Sequence, residues 1–157
     1  MKIMVLSGVN INMIGIREKD VYGKTSIEEH LHQLKKFGEA RGHEMHFRHS
    51  NCEGELIDHI HSLYFEKFDV LIFNTGALCH TSYALKDAIK ASNIPFYAEV
   101  HFRNSFAASI TGAYRSIEIT AQEADFMCLG AGIMGYKLAI EAAEEKLLCS
   151  THDEQTS

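Results

Sequence analysis

Val70-Leu71-Ile72-Phe73, running directly into Asn74-Thr75-Gly76-Ala77-Leu78-Cys79-His80, decides the fold. Four apolar residues with no polar alternation form a strand that is covered on both faces. Strands at the centre of a parallel sheet read this way. The polar, glycine-containing segment that follows ends the strand and opens a loop. Helical patterns flank this unit. Upstream, Glu53 to Tyr64 carries Leu56, Ile57, Ile60, Leu63 and Tyr64 on one face. Downstream, a helix is expected over Thr81 to Ala91. A helix on each side of an apolar strand is the βαβ signature of a parallel sheet.

The same alternation extends to both ends. Ile3-Met4-Val5-Leu6 is a compact first strand, too short for a signal-peptide core. Residues 8–24 have no period and are rich in Gly and Asn; a loop of that length in a small domain is usually functional or mobile. Thr25-Ser26-Ile27-Glu28 is read as a capping box for a helix bearing Ile27, Leu31, Leu34 and Phe37 and ending near Gly42. Residues 44–48 alternate as an outer strand, and Pro95 to Val100 is a further strand with proline in first place. Phe126 to Leu129 is the last strand. Gly132 to Leu147 is a closing helix with Leu138, Ala142 and Leu147 as inward candidates. The expectation is one catalytic domain over 1–148, with a disordered tail over 149–157.

Composition excludes several classes of function. The 157 residues carry a net charge of −6, and no run of Lys/Arg forms a footprint for nucleic acid or anionic lipid. No apolar run is long enough to span a bilayer. Cys52, Cys79, Cys128 and Cys149 lie far apart with no paired spacing, so free thiols in a reducing cytoplasm are expected. His30/His32 and His59/His61 are two apart on helices, which sets the members of each pair on different faces and makes neither a metal pair. Gly130-Ala131-Gly132-Ile133-Met134-Gly135 matches the dinucleotide fingerprint, but no further strand completes a βαβ unit after it. Tight strand-to-helix packing is the expected use of those glycines.

In open parallel sheets, ligands bind beyond the carboxyl ends of the strands, where strand order reverses. Polar residues gather in those loops. After the first strand come Asn10, Asn12, Arg17 and Tyr22; after the third, Asn74 and His80; after the fourth, Glu99, His101, Arg103, Asn104 and Arg115. Amides and arginines suit an oxygen-rich anion. His101 and Tyr22 are candidates for proton transfer. Taken singly, each has an ordinary structural reading. Asn10 is a turn former, His80 a helix cap, Tyr22 a packing residue and Arg17 a solvated charge. Their convergence on one sheet edge carries the functional reading.

The motifs in order are Gly8 to Asn12, Arg17-Glu18 with Tyr22-Gly23, Ser50 to Asp58, Asn74 to Ser82, and Glu99 to His101. In that order and spacing the chain resembles the type II 3-dehydroquinate dehydratases, from residue 1 to about residue 147. The resemblance implies a flavodoxin-like, three-layer α/β fold with a five-stranded parallel sheet of order 2-1-3-4-5. It implies dehydration of 3-dehydroquinate to 3-dehydroshikimate through an enolate, with no cofactor, metal or Schiff base, in aromatic biosynthesis or quinate breakdown. It also implies trimers assembled into a dodecamer. Carried over by position, Tyr22 resembles the general base and Arg17 the lid arginine that helps ionise it. Asn12 resembles the holder of an ordered water beside the enolate, His101 the general acid, and Glu99 the group that orients it. Asn74, His80, Asn104 and Arg115 take the place of substrate-positioning residues, and Asp87 of a group reaching a neighbouring subunit's site.

The chain also departs from the family pattern. Val9 and Thr75 replace usual prolines, so both loops are expected to be less rigid. Arg103 stands where a serine commonly contacts the substrate carboxylate, and an arginine can itself bind that group. The segment between His101 and Arg115 is longer than usual, and Ser116 and Ile117 replace histidines. These changes motivate an alternative: a non-catalytic binder of quinate- or shikimate-like cyclic acids on the same fold.

Overall fold

In a computed structural model, which describes residues 1–16, 25–104 and 118–153, the strands β1 (Lys2–Ser7), β2 (Glu44–His49), β3 (Val70–Asn74), β4 (Phe96–His101) and β5 (Phe126–Leu129) form one sheet. All neighbours run parallel, in the order β2-β1-β3-β4-β5. Helices α1 (Ile27–Glu39), α2 (Glu53–Glu66), α3 (Tyr83–Ser92) and α4 (Ile133–Asp153) connect and close it. Short 3-10 turns occupy Ile11–Met13, Gly76–His80 and Thr120–Glu123.

Alternation along each strand sends its residues to two separate cores. Ile3, Val5, Val70, Ile72, Ala98 and Val100 face one layer, where Leu34 of α1 and Tyr136, Ala139, Ile140 and Ala143 of α4 cover them. Met4, Leu6, Leu71, Phe73 and Tyr97 face the other, under Leu56, Ile60 and Leu63 of α2 and Leu85 and Ile89 of α3. Every residue of β3 is buried, as its unbroken apolar run requires.

Three boundaries differ from the sequence reading. Ser26, not Thr25, caps α1: its hydroxyl accepts the Glu29 N–H at 3.2 Å and its own N–H donates to Glu29 Oε2 at 3.1 Å. The S-x-x-E box is thus one residue further on than the T-x-x-E spelling suggests. α3 begins at Tyr83, because Gly76–His80 forms its own tight turn and Ser82 supplies the cap, accepting from Leu85 N at 2.9 Å. α4 runs to Asp153, so residues 149–153, expected in a disordered tail, are helical. Leu138 is exposed rather than inward; the buried stripe of α4 is Tyr136, Ala139, Ile140 and Ala143, about half a helical turn away.

The sheet reverses its order between β1 and β3, so the loops after these strands flank the expected crevice. They approach each other closely. A Cβ on Gly8 would lie 2.6 Å from the Thr75 carbonyl oxygen, and Gly8 N donates to Asn74 O at 2.7 Å. Gly76, at φ 62°, packs its α-carbon against Val9. Only residues without a side chain fit such a backbone-on-backbone contact.

Candidate active site

β4 carries the centre of the site. Tyr97, Glu99 and His101 are alternate residues on one face of the strand, and they end at its carboxyl edge. Glu99 has no solvent exposure. Its Oε1 lies 2.8 Å from His101 Nε2 and accepts the Thr75 hydroxyl at 3.1 Å; its Oε2 accepts the Tyr97 hydroxyl at 2.6 Å. An ionised carboxylate only accepts, so the His101 Nε2 carries the proton in this pair. Burial raises the Glu99 carboxyl, but the His101 hydrogen bond and charge, together with the Tyr97 hydroxyl, outweigh it and hold the group below its ordinary range. Burial, then the Glu99 charge, pushes the Tyr97 phenol well up, so Tyr97 stays a donor. The imidazole is thereby fixed in tautomer and orientation, with 10 % of its side chain exposed at the crevice.

A second carboxylate approaches the same imidazole. Ile119 N donates to Cys79 O at 2.6 Å, which draws residues 118 and 119 against the Gly76–His80 turn. Glu118 Oε2 then lies 3.9 Å from both His101 Nε2 and His80 Nδ1. Burial, followed by the hydrogen bond and charge of Glu118, pushes the Cys79 thiol far up.

The sequence-predicted residues divide into groups. His101, Glu99 and His80 are brought together around Glu118. Asn12 is exposed in the loop after β1, with its Oδ1 3.5 Å from Asn51 Nδ2, while Asn51 Oδ1 accepts Asn10 N at 2.8 Å. Asn10 itself has φ 64°, the turn-forming conformation. Asn74 is buried: its amide donates to the Tyr136 hydroxyl at 3.0 Å and accepts Gly76 N at 3.2 Å, so it shapes the loop that carries His80. Arg103 and Asn104 are exposed just beyond β4, and Asp87 is exposed on α3. Arg17, Tyr22 and Arg115 lie outside the described residues.

Sequence reading missed Tyr97, Cys79 and Glu118 as neighbours of His101, and read Thr75 only as a missing proline. Tyr97 was legible in the period-two spacing to Glu99 and His101. Glu118 was not, because its approach depends on a segment that has no period. The glycines of 130–135 take the packing role. Gly130 N and Gly132 N donate to the carbonyls of His101 and Phe102 at 3.1 and 3.2 Å, which removes them as phosphate donors. A Cβ on Gly135 would lie 3.2 Å from Cys128 Sγ, so the helix sits directly on β5. Among the described residues, Cys52, Cys79 and Cys128 are free thiols, and no helix is long and apolar enough to cross a membrane.

A flavodoxin-like sheet with a carboxylate-held histidine at its switch-point edge defines an α/β enzyme built for acid–base chemistry on a small polar molecule. Comparison with known proteins narrows the class. The family described as Dehydroquinase class II matches residues 1–144, and the chain belongs to that family. Relatives named 3-dehydroquinate dehydratase include one from Clostridium beijerinckii, 46 % identical over 146 residues, covering 93 % of this chain and 97 % of that one. Another, from Caldicellulosiruptor bescii, is 43 % identical and covers 93 % and 98 %. The crystal structure of the type II dehydroquinase from Butyrivibrio crossotus superposes with a TM-score of 0.86 at 33 % identity, covering 92 % of this chain and 97 % of that one.

Proposed function

We propose that the protein is a hydro-lyase that dehydrates 3-dehydroquinate to 3-dehydroshikimate and water through an enolate. The observation that carries this reading is the protonated Nε2 of His101 held at 2.8 Å by the buried Glu99 carboxylate. Hydroxide is a poor leaving group, and a positioned imidazolium gives it the proton it needs. Family membership and the names of the relatives support the same reaction.

The remaining roles follow from the chemistry of the step. A proton next to a carbonyl is weakly acidic, so its removal needs a strong base and donors placed for the enolate oxygen. Tyr22 is the proposed base. A phenol has an ordinary pKa of about 10, and the positive charge of Arg17 favours its ionised form in a closed site. Asn12 holds the water that stabilises the enolate. His80, Asn74, Asn104, Arg103 and Arg115 position the substrate, with an arginine suited to its carboxylate. The product is a shikimate-pathway intermediate. One catalytic domain over 1–148 carries the chemistry.

The exposed position of Asp87 on α3 is compatible with contact to a second copy, and trimers assembled as a dodecamer in the cytoplasm complete the proposal. The alternative, a non-catalytic binder of cyclic acids, draws only on Arg103 and the long segment after β4; family membership favours the dehydratase. Following the ultraviolet absorbance of the conjugated product separates the two. Tight binding of quinate or shikimate without turnover in folded protein would favour the binder.

A further inference from the structure

Cys79, Glu99, His101 and Glu118 converge on one point. Their Sγ, carboxylate oxygen, imidazole nitrogen and carboxylate oxygen all lie within 4.8 Å of one another, and this is the one such group among the described residues. The Glu99 and Glu118 side chains are 0 % and 4 % exposed, and the His101 imidazole lies between them. Buried carboxylates are costly unless paired, and a divalent cation placed among these donors would pair with both at once.

We infer that Cys79, Glu99, His101 and Glu118 form an inhibitory binding site for a zinc-like divalent ion. The donors decide the class of metal. One sulfur, one imidazole and two carboxylates match the four-coordinate preference of Zn²⁺. Mg²⁺ and Ca²⁺ require six or more oxygens and disfavour sulfur. The His101 and His80 side chains, 10 % and 14 % exposed, form the route in from the crevice. His80 Nδ1, 3.9 Å from Glu118 Oε2, stands behind that ligand, where an outer partner orients it.

Binding exchanges protons and nothing else. A thiol that ligates a metal loses its proton to do so, and His101 Nε2 gives up the proton it shares with Glu99. Both protons pass to solvent and no group changes oxidation state, so affinity rises with pH. The consequence for catalysis rests on the dehydratase reading: with a metal on Nε2, His101 is no longer an imidazolium and keeps only a weakly acidic Nδ1–H for the leaving hydroxyl, so the ion competes with the reaction.

The test titrates chelator-stripped protein with Co²⁺, then displaces it with Zn²⁺. The expected result is one equivalent bound, a near-ultraviolet sulfur-to-cobalt band, and displacement by Zn²⁺. Cys79→Ser loses the band, and both Cys79→Ser and Glu118→Gln bind at least about tenfold more weakly, with circular dichroism melting to show that they remain folded. Absence of the sulfur band, or equal binding in both variants, overturns the site and assigns the metal to other histidines. Turnover is measured separately on stripped protein with and without Zn²⁺. Loss of turnover on adding one equivalent supports the inference; full turnover with Zn²⁺ bound overturns the link to His101. No turnover in the stripped protein sinks the dehydratase reading while leaving the cobalt result intact.

Discussion

Glu99 and His101, two residues apart on β4, are joined at 2.8 Å between a carboxylate with no solvent exposure and an imidazole that reaches the crevice. Glu99→Gln removes the charge that holds the His101 imidazole and leaves its partners mispaired. Stability falls by about 1–3 kcal/mol, and kcat falls with it. The Glu99 carboxyl titrates below its ordinary value of 4.5 in the folded protein. Its contribution is therefore present above that ordinary value and is lost as pH falls through the lower, folded one. Urea midpoints taken from about pH 5 to about pH 3 should decline more steeply in the native protein than in the variant. Parallel slopes would contradict this assignment.

The Thr75 hydroxyl donates to Glu99 Oε1 at 3.1 Å, a bond that the proline expected there from the family resemblance has no group to make. This bond ties the β3 loop to β4. Thr75→Val keeps the shape and deletes the bond. A drop in stability of about 1.5–3 kcal/mol, the usual range for a hydrogen bond to a charged group, is expected by chemical denaturation.

Gly8 tests the contact between the two crevice loops. An alanine Cβ would meet the Thr75 carbonyl oxygen at 2.6 Å, and that oxygen belongs to backbone that cannot swing aside. Gly8→Ala should cost about 1–3 kcal/mol. It should also raise KM, because the loops that carry Asn12 and His80 are forced apart. An unchanged KM and midpoint would show that the loops shift freely.

Tyr22 is the proposed base, so removing its hydroxyl should act on chemistry more than on binding. Tyr22→Phe is expected to lower kcat by about 10²–10⁴-fold with KM little changed. Equal kcat in the variant would remove Tyr22 from the mechanism.

Much of the fold is legible wherever a period is present. The unbroken apolar run of β3 marks a doubly covered strand, and the helices after it follow from their spacing. What misleads is local competition between equivalent signals. Thr25 and Ser26 both spell a capping box, and only the hydrogen bonds to Glu29 choose between them. On α4, Leu138 looks like core because it is large and apolar, yet small residues and Tyr136 fill the narrow space over β4 and β5. In the site, Glu99 and His101 share a strand face and their pairing follows from alternation. Glu118 reaches them through a long aperiodic connection, and no sequence pattern encodes that approach.

The central claim is that His101, oriented by Glu99, delivers the proton that lets hydroxide leave. It is tested most directly by the rate at which stripped, folded protein converts 3-dehydroquinate to its ultraviolet-absorbing product, compared with His101→Ala. Steady turnover by the native protein, with a loss of about 10²-fold or more in the variant, is the predicted result. Equal rates in the two proteins, or no product from a native protein shown to be folded, would contradict it.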